Sequence, residues 1–104
     1  MPGILYAVIN SGRAVSGDID LRMNALAAIG VPVVTSGNLF LQGGFDTTSA
    51  NFLRIQTSAS SGDMSYATGP GSRMLITDFS TPAYARLEMS VNQTDIRTFQ
   101  LWTR

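Results

Sequence analysis

Asp18 and Asp20 flank Ile19, and on an extended strand that spacing sets two carboxylates on one face about 7 Å apart, an all-oxygen arrangement of the kind calcium accepts. The competing reading is the solvated start of a strand, with Ser16 and Gly17 beside it, and that is the reading adopted here. A second oxygen-rich cluster, Asp46 with Thr47, Thr48, Ser49 and Asn51, could ligate calcium or could hold a turn through an Asx-type bond to backbone amides. The turn is the favoured role, so no metal and no cofactor is expected.

Acid chemistry fares no better. Glycosidases need two carboxyl groups facing each other across a cleft. Glu88 is the sole glutamate, and a strand would put it on the same face as Arg86, so a surface ion pair between the two is expected. The chain has no histidine, no cysteine and no lysine. Ser-His-Asp and Cys-His arrangements, phosphate loops with their lysine, and the usual nitrogen and sulfur zinc ligands are therefore excluded, and no enzymatic activity is expected.

All seven basic residues are arginines, balanced by seven acids to a net charge of zero, with no basic stripe to gather phosphates. Nucleic acid is not an expected partner. A guanidinium is a rigid fork of donors, more weakly hydrated than an ammonium, and arginine is enriched at protein interfaces where lysine is depleted. Arg54, Arg86 and Arg97 fall on the polar faces of expected strands, and Tyr84 and Trp102 also lie in strands, so these five are the interface candidates. Solvated charges flanked by Thr and Gln remain the plain alternative for any one of the arginines. Tyr6, Tyr66, Tyr84 and Trp102 could instead serve as platforms for a glycan.

The elements that must position these residues read as strands. In 83–91, Ala85, Leu87, Met89 and Val91 alternate with Tyr84, Arg86, Glu88 and Ser90, a half-buried strand. After the turn-forming cluster Asn92-Gln93-Thr94-Asp95, residues 96–103 resume extended character, with Phe99 and Leu101 opposite Thr98, Gln100 and Trp102. The two are expected to form an antiparallel hairpin, with a bulge where Ile96 falls out of phase. Further strands are expected at 38–42, 52–56 and 72–77, the last after a Ser/Gly-rich loop at 58–63 and a stiff Gly69-Pro70-Gly71 turn. Residues 21–29 are ambiguous: Asp20 and Gly30 could cap a helix, whereas Val31-Pro32-Val33-Val34 continues as an extended run.

Strands of five to nine residues punctuated about every ten are the pattern of a sandwich or jelly roll. A length of 104 residues suits one domain spanning the whole chain, and a charged share of only 13 per cent, half the usual value of about 25 per cent, gives it a quiet surface. The first residues lack the basic region of a signal peptide and their apolar run is too short to cross a membrane. The mature protein is expected to begin there, and no membrane is expected as a partner.

Ile19-Asp20-Leu21, the segment from Ala25 to Pro32, Leu39-Phe40-Leu41-Gln42-Gly43-Gly44-Phe45-Asp46, Tyr84-Ala85-Arg86-Leu87 and Arg97-Thr98-Phe99-Gln100-Leu101-Trp102 follow one another in an order and spacing that resembles small jelly-roll, discoidin or galactose-binding-like decoration proteins of tailed-phage virions. The resemblance covers roughly residues 16–104 and departs after Asp46, where Thr47-Thr48-Ser49 stands in place of a glycine-containing turn. It tips 21–29 toward strand. It implies a capsid decoration or cement protein, assembled in the host cytoplasm into the virion, binding the major capsid protein and forming a homo-oligomer.

The expectation is thus an all-β, antiparallel, jelly-roll-like sandwich of about eight strands, with Leu39, Leu41, Leu53, Ile55, Leu75, Leu87, Met89, Val91, Phe99 and Leu101 in its core. Its expected role is structural, with a carbohydrate-binding module as the alternative.

Overall fold

A computed structural model describes residues 3–35, 37–55, 65–67, 73–76 and 83–104. Nine strands follow one another: β1 (Gly3–Ile9), β2 (Ile19–Asp20), β3 (Leu26–Val31), β4 (Asn38–Gly44), β5 (Leu53–Arg54), β6 (Ser65–Ala67), β7 (Arg73–Ile76), β8 (Tyr84–Met89) and β9 (Arg97–Thr103). They form two antiparallel sheets, one ordered β1-β9-β3-β7 and the other β2-β8-β4-β5 with β6 also paired to β4. From β1 to β4 the chain changes sheet at every step, and again from β7 to β9, which is the winding of a jelly roll. The all-β sandwich expected from the alternation is the fold found.

Alternation sets the core. Ala85, Leu87 and Met89 of β8 and Leu39 and Leu41 of β4 point inward from one sheet. Phe99 and Leu101 of β9, Ile29 and Val31 of β3, and Ala7 and Ile9 of β1 meet them from the other. Burying each of the larger of these side chains, the alanines excepted, is worth about 1.5–3 kcal/mol against leaving it in water. Six of the ten expected core residues, Leu39, Leu41, Leu87, Met89, Phe99 and Leu101, are buried, and Ile55 packs against them partly exposed. The side chain of Leu75 lies outside the described residues.

Two expected core members are not in it. Leu53 is 71% exposed, because β5 is a two-residue strand at the rim of its sheet. Val91 is 39% exposed, because β8 ends at Met89 and the alternation stops there.

The expected hairpin of 83–91 with 96–103 is not formed. β8 and β9 lie in opposite sheets, so their apolar faces meet across the core instead of side by side. Period-two patterning is the same for both arrangements. Nor is there a bulge at Ile96, which lies outside β9 and is 63% exposed; the irregular register falls in β3, between Leu26 and Ala28.

Within 21–29 the strand begins only at Leu26, after bends at 22–24, and Pro32 follows its last residue. β6 lies where no strand was expected, whereas the loop at 58–63 and the turn at 69–71 lie outside the described residues.

The link from β8 to β9 is anchored by Gln93, which is 1% exposed. Its Oε1 accepts from the Thr35 N–H at 2.9 Å and from Arg97 Nε at 3.3 Å, and its Nε2 donates to the Val91 carbonyl at 3.1 Å. Its own N–H donates to the Arg13 carbonyl at 2.8 Å, and its carbonyl accepts from the Gly12 N–H at 2.7 Å. Three loops are thus tied at one end of the sandwich.

Candidate functional site

Four of the five interface candidates divide between two opposite faces, and the fifth, Arg97, expected on a polar strand face, does not lie on either. Arg54, Tyr84 and Arg86 lie on the outer face of the β2-β8-β4-β5 sheet, whereas Trp102 lies on the outer face of β1-β9-β3-β7. Arg97, at the start of β9, belongs to the loop end, where it donates to Gln93 and to the hydroxyls of Thr35 and Thr94.

The first face is rich in charge, and its arginines are engaged within the chain. Arg54 makes a two-pronged pair with Glu88, Nε to Oε1 at 3.0 Å and Nη2 to Oε2 at 2.7 Å, and its guanidinium lies 3.9 Å from the centre of the Phe40 ring. Gln42 Nε2 donates to the same Glu88 carboxylate at 2.8 Å. Arg86 donates from Nε to Asp18 at 2.6 Å and from Nη2 to Ser49 Oγ at 3.2 Å, with its guanidinium 4.0 Å from the Phe52 ring centre. Arg22 makes a two-pronged pair with Asp20 beside the Tyr84 ring.

The expected Arg86–Glu88 pair is therefore replaced by two others. Residues two apart on one strand face stand about 7 Å from each other, and each reaches more easily across the sheet to a neighbour. Asp18 and Asp20 are held by different arginines, as suits charges at a strand's solvated start. The Arg22 side chain and then its backbone N–H bond the Asp20 carboxyl and lower its pKa from 3.8 to about 2. Asp46 holds a turn: its Oδ1 accepts from the Thr48 N–H at 3.0 Å, and Asn51 Nδ2 donates to both carboxylate oxygens.

The opposite face has a different chemistry. Ile4, Tyr6 and Val8 of β1 project outward at 50%, 61% and 39% exposure, and β9 presents Thr98, Gln100 and Trp102 directly beside them. Gly30 of β3 and the 59% exposed Met74 of β7 complete the face on the far side of β9. Within the four strands, none of the described side chains on this face is charged.

Trp102 lies over Gly30, where a β-carbon would stand 2.9 Å from the ring. Glycine at that position lets the indole lie down across the neighbouring strand. The ring, Pro32 and Met74 wall a concavity of about 400 Å³ floored by Gly30 and flanked by Thr98 and Gln100. A low-charge surface of aromatic, apolar and amide groups desolvates cheaply, which is the composition of the core of a protein interface.

Trp102 was legible from the sequence, and Tyr6 as an aromatic platform; Ile4, Val8, Gly30 and Met74 were not. The available signal was the uncharged apolar run of β1, which carries apolar residues on both faces where a solvated strand would alternate with polar ones. The Tyr66 side chain lies outside the described residues.

No family model matches the chain, and no curated protein matches it either. The class that fold and site define is a jelly-roll sandwich with one charged, internally paired face and one face whose described strand side chains are uncharged.

Proposed function

We propose that this protein is a non-enzymatic structural component of a tailed-phage virion, which decorates the capsid by docking the outer face of its β1-β9-β3-β7 sheet on the major capsid protein. The observation that carries the docking is the uncharged face around Trp102, with Ile4, Tyr6, Val8 and Met74 exposed together. The capsid as partner comes from the order of the strand motifs noted in the sequence. Docking would stabilise the shell by mass action, since a ligand that binds only the assembled lattice shifts the equilibrium toward it.

The same face favours a second reading, a glycan-binding module, because Trp102 adjoins the hydrogen-bonding side chains of Thr98 and Gln100 in one concavity. One experiment separates the two. Purified protein is added to capsids that lack it, and co-sedimentation and the temperature of shell rupture are measured beside binding to a glycan array. Co-sedimentation with a raised rupture temperature, both lost in Trp102→Ala, is the expected result. Glycan binding without affinity for capsids would overturn the decoration reading.

A further inference from the structure

The two sheets have four edges, and one differs from the rest. Among the described residues β2 has two and carries Asp20, β7 has four and carries Arg73, and β5 has two and carries Arg54, with the three-residue β6 beside it along β4. Short strands and charged residues are the usual protections against edge-to-edge pairing. β1 has neither. Its seven residues, Gly3–Ile9, include no charge and no proline, and β9 is its sole strand neighbour among the described residues. No described residue pairs with its other side, which runs about 23 Å.

We propose that β1 is a self-association edge: two copies of this chain pair antiparallel through it about a two-fold axis, joining their β1-β9-β3-β7 sheets into one continuous sheet. A second copy is the occupant that the chemistry fits. An antiparallel strand pair is self-complementary under a two-fold, and an uncharged strand meets its own copy without like-charge repulsion.

Register follows from the pleat. A one-residue slip would set outward side chains against inward ones, so each residue must face one of the same parity. Of the registers that remain, the one centred on Tyr6 pairs the whole strand: Tyr6 faces Tyr6, and Ile4 faces Val8. The contact is small against the roughly 800 Å² per partner of a standard interface, so the dimer dissociates on dilution. The inference goes beyond the capsid reading and does not depend on it.

Sedimentation equilibrium of the full chain over a range of concentrations tests it, with melting curves to verify folding. The wild type is expected to approach twice its 11.1 kDa mass at high concentration. Tyr6→Lys and Tyr6→Glu, at a position 61% exposed in the monomer, should each remain monomeric, and an equimolar mixture of the two should recover the dimer. Met74→Lys, at the opposite end of the same face, should dimerise like the wild type. A wild type that stays monomeric, single Tyr6 variants that still dimerise, a mixture that does not recover, or a Met74→Lys variant that dissociates would each overturn the pairing. Binding to capsids plays no part in any of these readings.

Discussion

The Trp102 indole lies across Gly30 of the adjacent strand so closely that a β-carbon at position 30 would stand 2.9 Å from one ring carbon and 3.0 Å from the next. The ring is the far end of a half-buried side chain, so added volume moves the ring before it moves the backbone.

Gly30→Ala should therefore lift the indole toward solvent at a cost of about 1 kcal/mol, the low end for overpacking. Trp102 is the sole tryptophan, so its fluorescence reports the change directly. A red-shifted emission and a lowered melting temperature are expected. An unchanged spectrum would show that the ring does not lie on Gly30.

The arginines of the charged face should rank by burial. Arg86 is 16% exposed and covers Phe52, which also approaches Gly44, so Arg86→Ala opens an aromatic ring and strips Asp18 of its partner. A loss of about 1–3 kcal/mol is expected, as for a partly buried charged hydrogen bond with its packing. The Arg22–Asp20 pair is 60% and 50% exposed and screened by solvent, so Arg22→Ala should cost clearly less than Arg86→Ala. Urea denaturation of the two variants measures the order, and equal losses would contradict it.

Gln93 is buried with both ends of its side-chain amide bonded. Gln93→Ala leaves the Thr35 N–H and the Val91 carbonyl without that partner and should cost about 1–3 kcal/mol. The neighbouring Asn92 is exposed, and Asn92→Ala should stay within about 0.5 kcal/mol of the wild type. Melting temperatures of the pair test the contrast.

The acid limb of stability should contain a contribution from Asp20. Its folded carboxyl is held at about 2 against an ordinary 3.8, so the group stabilises the fold fully above pH 3.8 and loses that effect as pH falls toward 2. In low salt, the difference in denaturation midpoint between wild type and Asp20→Asn should be constant above this window and close within it. A difference that does not change with pH would rule out the carboxylate–guanidinium pair as its source.

Much of the architecture was legible locally. The faces of β8 and β9 follow from alternation in 84–89 and 97–103, because an extended backbone turns successive side chains to opposite sides whatever lies beside it. The same periodicity misplaced Leu53 and Val91, since it says which way a residue points and not whether another sheet covers it. It also left β1 unread, because a strand apolar on both faces has no alternation to detect.

The sequence by itself determined an all-β chain without histidine, cysteine or lysine, and the inward residues of its clearest strands. The tertiary structure alone decided that β8 and β9 face each other across the core, that Glu88 takes Arg54 from 34 residues away and Arg86 takes Asp18 from 68, and that apolar residues gather on the outer face around Trp102. The physical reason is range. Side-chain direction is fixed by the torsions of a few residues, whereas strand neighbours and charge partners are chosen when two sheets close over a shared core, and the same local pattern serves several closures.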